Sequence, residues 1–296
     1  MNLLSYNTRG LGSRVKGHSI RNLIQKEKVD FACLQETKLG VLSQSDCQLI
    51  WGNEDIEWIH SPAVNLGGGV LCIWRKDAFT TEEVTCNQRW ICIRGKWKDR
   101  AEEWMIMNIY APCTVDGKRQ LWEEIIAWKR RSNVNYWSVV GDFNTVRCSE
   151  ERKGIGADSS SHYRRDSELF NEFIEAMELV DIPLTGKKFT WVRPNGSAMS
   201  RLDRCLVSLG VLDVWPQCVQ QVLDREFSDH CPVLLKQLNY EWGPRPFRVI
   251  NCWLDDPRFA PFVKESWKAI DVQGQGIFIM KEKLKLLKAK LKQWNV

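Results

Sequence analysis

Two strand-like apolar runs separated by one helix open the chain. The first covers Met1 to Tyr6, and the second, Val29 to Leu34, is almost continuously apolar. Three apolar residues at helical spacing mark the helix between them: Ile20, Leu23 and Ile24. A strand that is apolar on both faces lies inside a covered sheet, and this order of elements predicts a parallel βαβ unit. Its two strands would present Asn7 and Glu36 at the same edge of the sheet.

Polar residues suited to metal or phosphate chemistry follow several of the strand-like runs. The most informative segment is Gly141 to Asn144, GDFN, which follows the apolar run Trp137 to Val140. Alone, GDFN is more typical of a turn, because Asp and Asn side chains bond to nearby backbone and tolerate left-handed conformations. Other strand ends favour a shared site, since they supply further residues of this kind: Asn7, Glu36, Tyr110, Asp203, Asp229 and His230.

Asp229 and His230 are neighbours in the chain. Because neighbouring residues on a strand point to opposite faces, the pair can converge on one site only from the loop before the strand. Pro232 agrees with a strand that begins there, since its missing N–H is tolerated at a first position.

These residue types together are sufficient for hydrolysis of a phosphodiester. A carboxylate can hold Mg²⁺, an acid or base can handle the water's proton, and an imidazole and neutral donors can stabilise oxygens that gain charge. Mg²⁺ accepts one or two carboxylates and keeps several waters, so few acids are expected. Four of the residues have equally good structural interpretations when taken singly: a surface acid for Glu36, an interface phenol for Tyr110, a strand-edge residue for Asp203 and a core histidine for His230.

The rest of the chain contains more short strands and two helices. Ile56 to Tyr110 holds apolar runs broken by turn residues, which predicts an antiparallel meander. Gly67 to Gly69 lacks the further glycine and the helix of a nucleotide-binding loop, so it predicts a turn into a strand. Helices are predicted at Leu121 to Trp128 and at about Asp166 to Leu179. Later strands are predicted at Phe189 to Val192, Cys205 to Val207 and Cys218 to Leu223.

Length and composition set the class of protein. With 296 residues and 44% hydrophobic content, the chain can form one large α/β domain plus a tail, or two domains. It has no apolar run of membrane-spanning length, and its start predicts a strand rather than a signal peptide. Eleven scattered cysteines without a CxxC pair favour a reducing compartment. Four histidines supply few ligands for a zinc site.

The net charge of +5 is unevenly spread. Basic residues cluster in the later loops: Arg130, Arg131, Arg152, Lys153, Arg164, Arg165, Lys187, Lys188, Arg193, Arg201 and Arg204. This pattern suits a polyanionic partner, and solvated loop charge explains it equally well. Trp242 to Pro246 predicts a linker, and Phe259 to Ile270 predicts a helix. Ile277 to Trp294 predicts a basic amphipathic helix, for which packing is favoured over contact with a membrane or nucleic acid.

Six motifs, in order, resemble the endonuclease/exonuclease/phosphatase superfamily: LLSYNTRG, FACLQETK, MNIYAP, GDFN, SRLDRCLVS and SDHCPVLL. The resemblance runs from Met1 to about Gln237. Within it, LQETK, GDFN, KKFTW and SRLDR are most similar to the endonuclease domain of plant LINE-type (non-LTR) retrotransposon polyproteins. The tail segments FRVINCWLDDPRF and KLKLLKAKLKQWN resemble the connector that precedes the reverse transcriptase of those polyproteins, and a reverse transcriptase is not expected within these 296 residues. One departure is Tyr6, where Trp is usual.

The resemblance implies a four-layer α/β/β/α sandwich of two mixed β-sheets flanked by helices, with a helical extension. The domains would be 1–237 for catalysis and 238–296 for the linker and extension. The implied activity is Mg²⁺-dependent nicking of DNA, with Mn²⁺ as a substitute ion, leaving a 3′ hydroxyl and a 5′ phosphate. DNA would be the partner, with no membrane and no small-molecule cofactor beyond the metal. DNA as substrate implies the nucleus or the cytoplasm, and not secretion.

The resemblance also assigns the metal and proton chemistry. Glu36 would be the main metal carboxylate, with Asn7 and Asp229 completing the surroundings of the ion or its waters. Asp142 would position or deprotonate the attacking water, or protonate the leaving oxygen. In two-metal descriptions of the family, Asp142 and Asn144 also approach a second ion.

Contacts to the phosphate follow from the same resemblance. Tyr110 would contact the scissile phosphate, and Asn144 would bond to a phosphate oxygen. His230 would stabilise the oxygens of the pentacovalent phosphorus, with Asp203 orienting its imidazole. Three residues of less diagnostic loops would contact the DNA: Thr190, Ser200 and Arg201.

The sequence leaves two alternatives open. One is an enzyme of the same fold that acts as a phosphatase on small substrates, or as an RNA nuclease, because fold alone does not select the reaction. The other is a non-catalytic DNA-binding remnant of a decayed element. The intact acids at every motif argue against decay.

Overall fold

A computed structural model describes residues 1–64, 67–154, 160–237, 256–274 and 276–294. The chain divides into two compact units, Met1–Asn239 and Tyr240–Val296. The linker predicted at 242–246 lies outside the described residues, as does most of the motif FRVINCWLDDPRF. Within the described ranges, no helix is both long enough and apolar enough to cross a bilayer.

The first unit contains sixteen strands, five α-helices and one 3₁₀ turn among its described residues. In chain order they are β1 (Asn2–Asn7), α1 (Arg14–Lys26), β2 (Phe31–Gln35), α2 (Gln44–Trp51), β3 (Ile56–Ser61), β4 (Val70–Arg75), β5 (Phe79–Cys86), β6 (Trp90–Trp97), β7 (Trp104–Tyr110), α3 (Val115–Lys129), β8 (Tyr136–Asp142), the 3₁₀ turn (Ser149–Glu151), β9 (Arg152–Lys153), α4 (Ser160–Ala176), β10 (Leu179–Asp181), β11 (Leu184–Thr185), β12 (Trp191–Val192), β13 (Met199–Ser200), β14 (Asp203–Ser208), α5 (Leu209–Val214), β15 (Cys218–Val222) and β16 (Val233–Gln237).

Two mixed sheets form the body of this unit. The first has the strand order β11-β15-β16-β1-β2-β4-β3, and the second has the order β10-β14-β8-β7-β6-β5. A small third sheet joins β12, β13 and β9. Strands β1 and β2 pair in parallel, with Asn7 opposite Gln35, which confirms the predicted βαβ unit.

The meander predicted from Ile56 to Tyr110 as one antiparallel unit is divided between the two sheets. β3 and β4 pair with each other and join β2 in the first sheet, whereas β5, β6 and β7 pair in the second. The short connection after Arg75 therefore crosses from one sheet to the other. Alternation of apolar residues shows that a run is a strand, but it carries no information about which sheet the strand joins.

Three apolar clusters define four layers. One lies between the sheets and contains the aromatic residues Phe31, Trp74, Phe79, Trp97 and Trp104. A second cluster packs α3 and α4 against the outer face of the second sheet, through residues such as Trp122 and Phe173. A third packs α1 and α2 on the outer face of the first sheet. The predicted four-layer α/β/β/α sandwich is confirmed.

Helix α2 was not predicted from the sequence. It is eight residues long and begins with a capping box, in which the Ser43 hydroxyl accepts from the Asp46 N–H at 3.2 Å and the Asp46 carboxylate accepts from the Ser43 N–H at 2.9 Å. Such a cap stabilises a short helix that has too few turns to show apolar periodicity.

The topology brings the polar strand ends to one edge of the sandwich. β7 and β8 run in parallel, with Tyr110 opposite Asp142. β14 runs antiparallel to β8, so that its first residue, Asp203, also lies opposite Asp142. β16 runs antiparallel to β1, and the loop before it carries His230 to the edge where Asn7 ends β1.

The second unit contains two described helices, α6 (Phe259–Ala269) and α7 (Gly276–Trp294). Phe259 and Ile270 pack with Leu287 and Leu291 in a small apolar cluster. The two predicted helices of this segment are confirmed.

Candidate active site

Asp142 lies at the centre of the edge where the strands end. Gly141 precedes it with φ 143°, and a Cβ there would meet the Ile109 carbonyl oxygen at 2.0 Å, so only glycine fits. The buried Asp142 carboxylate accepts from the Asn7 side-chain amide at 2.8 Å and from the Asn144 backbone N–H at 2.9 Å. Burial raises the pKa of Asp142 to about 7, although the neighbouring His230 lowers it. Its carboxyl group can therefore exchange a proton near neutral pH.

His230 lies between two carboxylates. Its Nδ1 is 2.8 Å from Asp203 Oδ2, and its Nε2 is 3.8 Å from Asp142 Oδ2. Burial lowers the pKa of His230, but the carboxylates of Asp203 and Asp142 outweigh this effect and raise it to about 9. The bond to Asp203 places a hydrogen on Nδ1 and fixes the ring, so that Nε2 faces Asp142. A protonated imidazole in this position can donate from Nε2 to an anionic oxygen.

Asp203, Asp142 and His230 also form a group of possible metal ligands, since their ligand atoms lie within 4.8 Å of one another. These atoms already bond to protein groups: Asp203 to His230, and Asp142 to Asn7 and Asn144. The existing bonds favour proton handling for this group.

Glu36 and Asp229 both form ion pairs with the guanidinium group of Arg9. Arg9 Nη1 is 3.0 Å from Asp229 Oδ2, and Arg9 Nε is 3.9 Å from Glu36 Oε1. Lys38 Nζ is 3.1 Å from the same Glu36 oxygen. Glu36 directly follows β2 and has φ 51°, a left-handed conformation outside the β region. The two acids therefore form a second carboxylate group, beside the Asp142–His230 pair.

The surroundings of Asp229 fit a divalent ion. Its Oδ2 accepts from the Trp191 indole N–H at 2.9 Å, while Oδ1 is buried and has no hydrogen-bond partner within the described residues. Buried carboxylate oxygens are normally satisfied, and an oxygen-binding cation such as Mg²⁺ would satisfy this one. Glu36, Asp229 and Asn7 supply side-chain oxygens of the kind that Mg²⁺ prefers, and the Asn7 oxygen also accepts from the Arg9 backbone N–H at 3.1 Å.

A family model described as "Endonuclease/Exonuclease/phosphatase family" matches residues 4–230, which include all of the residues above. The chain belongs to this family. Members of the endonuclease/exonuclease/phosphatase family are hydrolytic nucleases and phosphatases that use divalent metals, and the superfamily predicted from the six motifs is confirmed.

Relatives of the chain include a transposon protein. The "Transposon TX1 uncharacterized 149 kDa protein" of Xenopus laevis is 22% identical over 288 residues, which cover 90% of this chain and 20% of that protein. The chain therefore spans a fifth of the length of this relative.

Solved structures of the endonuclease/exonuclease/phosphatase fold are similar to this chain. AP endonuclease LMAP from Leishmania major has 18% identity and a TM-score of 0.61 over 79% of this chain and 86% of that one. The 3′ phosphatase NExo from Neisseria, bound to product DNA hairpin, has 17% identity and a TM-score of 0.62 over 80% and 99%. An AP endonuclease from Archaeoglobus fulgidus has 17% identity and a TM-score of 0.63 over 80% and 99%. At these identities the similarity shows the shared family fold.

Tyr110 ends β7 on the same edge as the other family motifs. Burial raises the pKa of its phenol, and the negative charges of Glu36 and Asp142 raise it further. The phenol is therefore neutral and can donate a hydrogen bond. The guanidinium carbon of Arg89 lies 5.8 Å from the centre of the Tyr110 ring.

Thr190 and Ser200 are both buried, and their contact with DNA stays a prediction. The Thr190 hydroxyl accepts from the backbone N–H of Leu202 at 2.9 Å and from that of Asp203 at 3.0 Å. It thus holds the start of β14, from which Asp203 reaches His230. The sequence does not distinguish a loop hydroxyl that contacts DNA from one that bonds to the protein backbone.

Thr190→Val is expected to lower the free energy of unfolding by about 1–3 kcal/mol, because the buried Asp203 N–H and the partly buried Leu202 N–H lose their acceptor. Thr190→Ser keeps the hydroxyl and should lose clearly less. Urea denaturation measures both values. Equal stability of Thr190→Val and the wild type would contradict the assigned role.

Arg201 and Arg204 lie in an ion-pair network rather than on a binding face. The Arg201 guanidinium is 2.6 Å from Asp181 and 3.2 Å from Glu151. Arg204 is 0% exposed and pairs with the same two acids. The prediction that Arg201 and Arg204 belong to a basic surface is therefore wrong for their charges, which are paired inside the protein. DNA binding by Arg201 stays a prediction, and its ion pairs do not favour it.

Ser228 is a functional neighbour that sequence reasoning missed. Its hydroxyl donates to the Asn7 carbonyl at 2.8 Å and accepts from the His230 N–H at 3.1 Å. It therefore joins the end of β1 to the loop that carries Asp229 and His230. Ser228 directly precedes Asp229 and His230 in the motif SDHCPVLL, and this position could have indicated its role in the site.

Proposed function

We propose that this chain is a Mg²⁺-dependent DNA endonuclease that hydrolyses a phosphodiester bond to a 3′ hydroxyl and a 5′ phosphate. The proposal rests on the position of His230 between Asp203 and Asp142, together with the nearby carboxylates of Glu36 and Asp229. A proton-handling pair next to oxygen ligands for a cation is the combination that metal-assisted phosphodiester hydrolysis requires.

Glu36 and Asp229, with the Asn7 side chain, are the residues that would hold the metal. When bound, Mg²⁺ stabilises negative charge that develops on the phosphate oxygens. Arg9 and Lys38 pair with these carboxylates, and their side chains would be able to donate to phosphate oxygens if a metal ion took their place beside the acids.

Asp142 accepts the proton of the attacking water. The oxygen of this water forms the new bond to phosphorus, while the bond from phosphorus to the 3′ oxygen breaks and that oxygen takes a proton from solvent. His230 donates from Nε2 to an oxygen of the phosphoryl group as its charge increases, and Asp203 holds the ring for this bond. Tyr110 and Asn144 add neutral donors.

DNA is proposed as the substrate because of the relatives and the surface charge. One relative is a transposon protein, and one of the similar structures is bound to product DNA hairpin. Exposed basic residues lie in strand β9 (Lys153) and in the loops that flank β12 or precede β16: Lys187, Lys188, Arg193 and Arg225. We expect target choice to depend on backbone contacts and DNA deformability, as suits nicking of a transposon target.

Removal of the metal is expected to abolish activity. The wild type should convert supercoiled plasmid to the nicked circle in Mg²⁺, lose this activity in EDTA, and recover it when Mg²⁺ is added in excess. Agarose gel electrophoresis measures both forms. Nicking that continues at full rate in EDTA would contradict the proposal.

Two further substrates separate the proposed reaction from those of other family members. A duplex with one abasic site tests for an AP endonuclease, and a duplex with a 3′ phosphate tests for a phosphatase by release of inorganic phosphate. Intact DNA should be cut at a rate similar to the abasic duplex. If the abasic duplex or the 3′-phosphate duplex reacts about 100-fold or more faster than intact DNA, the activation free energies differ by about 2.7 kcal/mol. The activity on that modified duplex would then replace our proposal.

A further inference from the structure

Lys118 is a buried cation on α3. Its side chain is 2% exposed. Its Nζ donates to the Asn144 backbone carbonyl at 2.9 Å and forms an ion pair with Asp166 of α4. Lysine is rarely buried this completely, and burying a charge costs free energy unless the partners are well placed. The position of Lys118 therefore needs an explanation beyond solubility or surface charge.

The carbonyl to which Lys118 donates belongs to a site residue with an uncommon backbone conformation. Asn144 has φ 50°, in the left-handed region that non-glycine residues seldom adopt. This conformation turns its N–H to Asp142 Oδ1 at 2.9 Å, and its side-chain amide donates to the Ala111 carbonyl at 2.8 Å. The Ala111 N–H in turn donates to the Asp142 carbonyl at 2.9 Å. The Asn144 segment thus joins Asp142 to the loop that follows Tyr110.

We propose that Lys118 is a positioning residue, which stabilises the left-handed conformation of Asn144 and so keeps the Asn144 N–H on the Asp142 carboxylate. The inference rests on the proposed endonuclease function. Among the described residues, the Lys118 ammonium group bonds to Asp166 and to the Asn144 backbone carbonyl, and to none of the proposed metal ligands. It acts through the Asn144 carbonyl, and Asp166 supplies the counter-charge that allows the ammonium group to be buried.

The competing interpretation is a clamp between α3 and α4 that serves the fold alone. Under that interpretation Lys118 and Asp166 contribute only through their ion pair, and removal of either partner has the same effect. Under our proposal the two partners differ, because only Lys118 bonds to the Asn144 segment. Lys118→Met removes the donor at similar size, while Asp166→Asn keeps an acceptor for Lys118 and the bond to Asn144.

Lys118→Met is expected to lower kcat for plasmid nicking by about 10- to 100-fold, the effect of losing one hydrogen bond from a charged group, with KM nearly unchanged. Asp166→Asn should lower kcat by less than about threefold, even if both variants lower Tm by a similar amount. Lys118→Arg keeps the charge and donors and should recover part of the loss. Equal losses of kcat in Lys118→Met and Asp166→Asn would overturn the proposal.

The Asn144→Gly variant tests whether Lys118 acts through the conformation of Asn144. Glycine adopts positive φ without strain, so Asn144→Gly removes the need for a residue that stabilises this conformation. Adding Lys118→Met to Asn144→Gly should therefore lower kcat by less than about threefold, whereas the same change lowers it about 10- to 100-fold in the wild-type background. If Lys118→Met lowers kcat by the same factor in the wild type and in Asn144→Gly, Lys118 does not act through the conformation of Asn144 and the proposal is wrong.

One readout does not depend on nuclease activity. Amide hydrogen exchange at Asn144, followed by NMR, should be faster in Lys118→Met than in the wild type and in Asp166→Asn, because the N–H loses its bond to Asp142. If the wild type does not nick DNA, the endonuclease proposal fails while this measurement still decides the positioning role. Unchanged exchange at Asn144 in Lys118→Met would overturn that role by itself.

Discussion

His230→Asn is expected to lower the rate of nicking by about 10²- to 10⁴-fold, the contribution typical of one acid–base group. The Asn side-chain amide can replace Nδ1 as the donor to Asp203, which accepts at 2.8 Å in the wild type. The variant therefore removes Nε2, which lies 3.8 Å from Asp142, while the bond that satisfies Asp203 is kept. The fold and DNA binding should remain, as measured by Tm and by gel shift in EDTA.

Two comparisons make this result specific. His18, exposed on α1, gives the matched control His18→Asn, which should nick as the wild type does. His230→Ala leaves Asp203 buried without its partner and should also lose about 1–3 kcal/mol of stability. If His230→Asn keeps more than a tenth of the wild-type rate, the histidine is structural and our interpretation of the site is wrong.

Asp142→Asn is the second change with a large expected effect. The variant cannot accept the proton of the attacking water, and we expect a loss of about 10²- to 10⁴-fold in kcat. It also offers one acceptor oxygen where Asp142 offers two, so one of the bonds from Asn7 and Asn144 is lost. Asp142→Ala should abolish nicking as well, with the fold and DNA binding largely retained.

Asp99→Asn is the control for this charge change, since Asp99 lies in the turn between β6 and β7 and its side chain is 76% exposed. It should leave both kcat and Tm unchanged. A similar kcat for Asp142→Asn and Asp99→Asn would show that another group handles the proton.

The family resemblance implied the four layers, whereas local patterns in the sequence predicted a covered sheet and the edge at which the site lies. Val29 to Leu34 is apolar on both faces, which required a covered sheet, and polar residues directly after strands marked one edge of it. Those signals are local, since each depends on a few consecutive residues. The bond from Asn7 to Asp142 joins residues 135 positions apart, yet both were predicted because each follows its own strand.

Other features depend on partners that are distant in the chain and unspecified by a local pattern. The division of the meander after Arg75 depends on which sheet has a free edge. The buried position of Arg204 depends on Asp181 and Glu151, and Lys118 meets Asp166 and Asn144 only after α3 and α4 have packed. A charged residue looks the same in the sequence whether it faces solvent or an internal partner.

Sealing of the nicks by DNA ligase is the most direct test of the central claim, because ligase requires both a 3′ hydroxyl and a 5′ phosphate. Plasmid nicked by the wild type in Mg²⁺ should be closed by ligase without prior treatment by phosphatase or kinase. Samples incubated with His230→Asn or Asp142→Asn should contain almost no nicks to seal. Nicks that ligase closes only after their ends are repaired, or nicks of equal number in the variant samples, would contradict the account.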